Sequence, residues 1–120
     1  MTTVYRGEGH VIDYTEPGSA AISAGDVVEM GDKTVGIALQ DIALSGTGPV
    51  AIEGCFTVPK VTGTAWAVGD VLDWDTSTGK FGRDVTLATG DIGDCAIVTE
   101  AAASAAAVGV ARLLPGHPVT

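Results

Sequence analysis

The sequence predicts an all-β domain, a small β-barrel or β-sandwich of short antiparallel strands. Three observations predict it. Gly fills 17 of 120 positions, which demands frequent turns. Val and Thr are abundant while Leu is sparse, and β-branched residues suit a pleated sheet better than a helix. Short apolar runs recur at near-regular spacing between Gly-rich clusters, as in sandwiches and barrels. The length is that of one domain able to bury a core without metals or disulfides. Only 5% of the residues are aromatic, and Ala inflates the hydrophobic share of 46%. The core is therefore expected to be thin and built from Val, Ile and Ala. Association with copies of itself or with another protein is expected to supply part of the stability.

Residues 1–19 read as an extended N-terminal arm, 20–115 as a single β-domain and 116–120 as a flexible C-terminal tail. The arm mixes Tyr5, His10, Val11, Ile12 and Tyr14 with charged residues, carries one short strand around Val11–Thr15, and closes at Pro17-Gly18. Ala24-Gly25-Asp26 is a turn feeding a strand at Val27, and Gly31-Asp32-Lys33 is a hairpin-like turn. Residues 35–39 are apolar enough for a central strand. Ser45 to Pro49 is a turn cluster. The next strand alternates through Val50, Ile52, Phe56 and Val58 and ends at Pro59, which cannot donate to a ladder.

Val68-Gly69-Asp70-Val71 repeats the earlier turn and strand. Residues 76–79 turn it, and Lys80, Phe81, Gly82 and Arg83 return as a partner strand. Further strands open at Asp91 and Val108. Gly25-Asp26-Val27-Val28 matches Gly69-Asp70-Val71-Leu72, and a second set of matches follows it, from Gly36 to Ile52 and from Gly93 to Val110. The two halves thus suggest a duplicated β-unit. The Ala-rich stretch 101–107 has high helix propensity but is too short to hold a helix alone; it is open to reading as a single turn, a flat Ala-lined crossing or a low-complexity linker.

A net charge of −9 with only six scattered Lys and Arg residues argues against nucleic acid as a partner. No apolar run is long enough to span a membrane, and the start lacks the basic and apolar regions of a signal peptide. The protein is therefore expected to be made in the cytoplasm, to stay soluble and to have no membrane partner. Cys55 and Cys95 have no zinc-site spacing; a disulfide is weighed against two small buried thiols. His10 and His117, the two bases available to a nucleophile, lie in terminal segments. The acidic cluster Asp70, Asp73, Asp75 and Asp84 departs from a calcium loop, with Thr78 where Gly belongs and Asp84 where Glu belongs. Asp at hairpin turn positions, with Gly79 supplying positive φ, is the competing reading. Trp66 and Trp74 could stack sugars, although burial competes for them. No catalytic, cofactor-binding or metal site is predicted.

Ser23-Ala24-Gly25-Asp26-Val27-Val28 comes first in a further ordered series. It continues through residues 35–43, Gly54 to Lys60 (Gly-Cys-Phe-Thr-Val-Pro-Lys), Thr64 to Asp75 (Thr-Ala-Trp-Ala-Val-Gly-Asp-Val-Leu-Asp-Trp-Asp) and Val110 to Leu113. In order and spacing this series, about three quarters of the chain, resembles the DUF2190 family of tailed-phage capsid cement, or decoration, proteins. Leu72-Asp73 before Trp74 and the insert at 82–90 depart from that pattern. The resemblance implies a non-enzymatic virion protein with a barrel or sandwich fold on the outside of the phage head, commonly a homotrimer clamping neighbouring copies of the major capsid protein. An arm that orders on binding could add a strand to an exposed capsid sheet edge. Val4, Tyr5, Arg6, His10, Val11, Ile12 and Tyr14 are the candidate capsid or intersubunit contacts. The alternatives are a carbohydrate-binding β-module displayed on the virion and, further off, a small hydrolase or metal-dependent enzyme.

Overall fold

Turns and strands alternate along the chain, but the expected turn cluster at Ser45 to Pro49 runs into a strand from Thr47. The expected strand through Val50, Ile52, Phe56 and Val58 is two strands in different sheets, broken at residues 52–54, where Gly54 takes positive φ. The structure, a computed structural model, describes every residue except Met1, Tyr5, Asp32, Asp84 and Thr120. Among the described residues it contains strands and no helix. The strands are β1 (Val11–Thr15), β2 (Val27–Met30), β3 (Thr34–Ala38), β4 (Thr47–Ala51), β5 (Cys55–Pro59), β6 (Val71–Asp75), β7 (Lys80–Gly82), β8 (Ile92–Glu100), β9 (Val108–Leu113) and β10 (His117–Pro118). They form two antiparallel sheets, ordered β1-β4-β3-β2 and β5-β9-β8-β6-β7, with β10 also on β8. The arm's expected strand is β1. Two residues of the expected tail, His117 and Pro118, pair with Gly93 and Ile92.

The two similar halves of the sequence are two copies of one pairing scheme. β5, β9, β8 and β6 stand in the same order as β1, β4, β3 and β2. Ile22 and Ile42 exchange backbone hydrogen bonds, and so do Trp66 and Ala102 at the corresponding place. In the first half the Asp26 carboxylate accepts the Ser23 N–H at 3.0 Å; in the second, Asp70 accepts the Ala67 N–H at 2.8 Å. Gly25 and Gly69 hold φ at 89° and 93°, a region that L side chains rarely occupy. The turn also occurs a third time, where Asp91 accepts the Ala88 N–H at 2.9 Å. The Ala-rich stretch forms neither a helix nor a loose linker. Ala102 pairs with Trp66, and a tight turn follows in which Ala106 N–H donates to Ala103 C=O. Beyond it, β9 passes close over Trp66: a Cβ on Gly109 would lie 2.4 Å from the indole.

The halves differ at one place. Between β6 and β8 the chain inserts β7, whose Phe81 is fully buried and meets Trp74 edge-on at 4.9 Å. The far side of β7 reaches the chain just beyond β5, where Val61 N–H donates to Phe81 C=O at 2.8 Å. The second sheet thus curls until its last strand meets the continuation of its first. The first half runs directly from β2 to β3 through the turn at Gly31 and Lys33; Asp32 of that expected turn lies outside the described residues. It remains an open half-barrel.

Side-chain alternation along β3 joins the halves. Val35 and Ile37 enter the main core with Trp66, Leu72, Trp74, Phe81 and residues of β8 and β9. Ala38 points the other way, into a smaller core with Val28, Ile42 and Val50. Two polar ties reinforce the junction. Trp74 Nε1–H donates to Glu29 at 2.5 Å, and Thr34 Oγ1–H to Pro115 C=O at 2.6 Å.

Each half is also pinned by one buried charge at corresponding positions, just after β1 and just after β5. Glu16, only 3% exposed, accepts backbone N–H groups from Gly18 at 2.7 Å, Ser19 at 3.0 Å and Ser45 at 2.9 Å. Lys60, fully buried, donates to the carbonyls of Val61 at 3.2 Å, Ser104 at 3.3 Å and Ala106 at 3.4 Å. Its ammonium also lies 5.6 Å from the Trp66 ring centroid, in cation–π range. The donated N–H groups, led by Ser45, hold the Glu16 carboxyl below its ordinary value. A lowered folded-state pKa gives stability above the usual carboxylate range that is lost as pH falls through the folded value.

Two outcomes follow. Lys60→Met keeps the apolar stem but leaves buried carbonyls without their donor, so urea unfolding should show a loss of about 1–3 kcal/mol. Glu16→Gln should start less stable than wild type at neutral pH and lose less stability on acidification through the carboxylate range, read by thermal melts across pH. Parallel pH profiles for the two proteins would contradict the role given to Glu16.

Candidate interaction surface

Apart from Cys55, the cysteine and histidine side chains and the described aspartates of the acidic cluster are buried or paired. Cys95 lies buried on β8, and burial pushes its thiol up to about 12. Cys55 is exposed on β5, and both thiols are free. His10 pairs with Glu53. His117 stands 3.1 Å from Asp94; a hydrogen bond with Pro118 C=O and the Asp94 carboxylate raise its pKa. The acidic cluster does not act as one group. Asp75 accepts the N–H and hydroxyl of Ser77 in its own turn, which lowers its pKa, while Gly79 takes a φ of 68°. Asp73 accepts Asp94 N–H, and Asp70 serves the turn before β6. Asp84 lies outside the described residues. Among the described residues, no three His, Cys, Asp or Glu side chains converge on a metal position.

The sugar-stacking reading is corrected by burial. Trp66 and Trp74 are 2% and 5% exposed, so neither presents a ring face to a ligand. The main core takes both, because the thin Val and Ala strands around them leave volume that only large rings fill.

The candidate contact residues gather at the open half. Val4 is 67% exposed, Val11 48% and Ile12 36%, and Arg6 and His10 are exposed as well. Tyr5 lies outside the described residues. Tyr14 is half-buried and packs on the smaller core, so it supports the surface from beneath. Val11 to Thr15 pair with β4 along one side only. Among the described residues no strand pairs with the other side of β1, and such an edge is a ready template for another chain. Beside it lies a largely apolar groove of about 350 Å³ between the halves, floored by Ile12, Met30, Ile52 and Leu113, with Glu53 and Arg112 also lining it. Of these residues, Ile12 alone is among the contacts expected from sequence. Met30 and the residues beyond β9 read as ordinary strand and chain-end residues, and no local pattern marks them as neighbours.

The described residues on this side present one exposed strand edge, an exposed segment leading into it and a largely apolar groove alongside. No curated protein and no solved structure matches the chain. The phage cement protein family matches it from residue 7 to residue 113, through both halves and every strand except β10. Phage cement proteins are structural components associated with the capsid rather than enzymes, and with nearly all of its length matched, this chain belongs to the phage cement protein family.

Proposed function

We propose that the protein decorates the outside of an assembled phage head and bridges neighbouring copies of the major capsid protein. The observation that carries this reading is the family match across both halves of the fold. The DUF2190 grouping suggested by the Phe56 to Lys60 block belongs to the same proposal, as does synthesis in the host cytoplasm. The open half makes the contact, through β1, the groove and the arm that carries Val4, Tyr5, Arg6 and His10. The arm meets the capsid or a neighbouring cement subunit.

The mechanism is thermodynamic. A ligand that binds only the expanded, assembled lattice stabilises it by mass action against rupture. If the protein acts as a trimer, each copy's modest contact gains from linkage to the other two. An exposed edge strand supplies main-chain hydrogen bonds, and neighbouring apolar pockets supply register.

The test is co-sedimentation of purified protein with expanded shells lacking it. Saturable binding to expanded shells and none to unexpanded ones is the predicted result; no binding to matched shells would overturn the reading. Deleting residues 2–9 spares β1 and should leave the β-sheet circular dichroism spectrum unchanged while weakening shell binding by about tenfold or more, in line with lost linkage. Undiminished binding by the truncated protein would remove the arm from the contact.

A further inference from the structure

The closed half shows what belongs beside a strand such as β2. There β7 lies along β6, with Gly82, Phe81 and Lys80 opposite Asp73, Trp74 and Asp75. Its other side pairs in parallel with the chain at Lys60. The open half keeps both flanks and lacks the strand between them. Its flanks are β2, the counterpart of β6, and the chain at Glu16 and Pro17, the counterpart of Lys60 and Val61. Between them is a cavity of about 290 Å³, bordered by Tyr14, Glu16, Pro17, Ile22, Val28 and Glu29. Among the described residues β2 pairs with β3 alone, so its outer edge, like that of β1, carries no strand there.

We propose that this cavity is an acceptor slot for one extended strand, supplied by the N-terminal arm of a second copy of this chain. The proposal rests on the reading of the arm as an intersubunit contact and names where it lands. Direction excludes the molecule's own arm. β7 runs antiparallel to β6 and parallel to the chain at Lys60. A strand of the same sense in the empty slot runs parallel to the continuation of β1. The molecule's own arm enters β1 at Val11, its far end, and on folding back would lie antiparallel to it. A second copy has no such constraint.

The arm suits the slot in form and charge. Its described residues from Thr2 to His10 are all exposed. Extended at about 3.3 Å per residue, they reach roughly 30 Å. Thr2, Thr3 and Val4 are β-branched and favour strand geometry. The arm carries both Arg6 and Glu8, and Arg6 is its group suited to meet Asp26 and Glu29 on the slot's border. Each copy gives one arm and accepts another, a head-to-tail contact that closes into a ring where the rotation between copies allows.

The test needs no capsid, so its failure is separate from failure of the capsid reading. In a Cys55→Ser background, one protein carries Val4→Cys and another Ser19→Cys, at an exposed position on the slot's border. A third carries Thr62→Cys, exposed near the corresponding position of the closed half, where β7 already occupies the slot. The mixed disulfide between Val4→Cys and Ser19→Cys should form about tenfold faster or more than that between Val4→Cys and Thr62→Cys, because docking raises effective concentration. Excess peptide of residues 1–10 should suppress it, and deletion of residues 2–9 should abolish self-association in sedimentation. Equal rates for the two acceptors, or self-association unchanged by the deletion, would overturn the proposal.

Discussion

Both halves depend on a backbone polar-group problem solved twice, with opposite charges. After β1 and after β5 the chain leaves its sheet and passes beside the turn that precedes the half's last strand, where buried peptide groups need partners. In the first half the exposed groups are N–H donors, and Glu16 accepts from Gly18, Ser19 and Ser45. In the second they are carbonyls, and Lys60 donates to Val61, Ser104 and Ala106. A buried charge is costly unless it is fully hydrogen-bonded, and each of these has at least three backbone partners. The pins add to backbone hydrogen bonds that already tie the loops of 16–26 and 60–70 to the turns at 43–46 and 103–107, such as Glu16 N–H to Gly46 C=O and Gly63 N–H to Ser104 C=O, and without the pins the buried peptide groups would lack partners. The turns at Gly25 and Gly69, which set the start of β2 and β6, lie within those loops.

On this shared frame, one inserted strand sets the difference in behaviour between the halves. β7 supplies Phe81 to the core and closes the sheet onto the chain beyond β5. The closed half can therefore serve as a rigid body. The open half has free edges on β1 and β2 and the groove at Ile12 and Ile52. For a protein whose work is contact, that asymmetry is useful. Core packing is concentrated in the closed half, and unpaired strand edges are left in the open one, where the partner is proposed to sit.

Much of the fold was legible in the sequence because turns carry strong local chemistry. Gly25-Asp26 and Gly69-Asp70 announced equivalent turns through a residue that tolerates positive φ and one whose carboxylate caps the turn. The third such turn, at Gly90-Asp91, was read simply as a strand start, since nothing follows it that resembles the other two halves. Lys60 looked like the end of a motif and Glu16 like an arm residue. Their burial follows from tertiary placement beside turns more than twenty residues away, which no local pattern records. The tryptophans had the reverse history: composition alone left sugar stacking open, and Gly109 packed over Trp66 closed it. The candidate arm residues gathered on one side because β1 is an edge strand; the groove beside them joins residues from β1, β2 and the chain after β9, so its existence could not be read from spacing.

The chain is a phage cement protein, and neighbours on the phage head are proposed to complete its open half. The most direct measurement is a cryo-electron microscopy reconstruction of heads carrying the protein. The account predicts density outside the shell straddling the boundary between capsid subunits, with the open half turned toward its contacts and the closed β7 half turned away. A head with no added density, or one on which the closed half makes the contacts and the β1 side faces solvent, would contradict it.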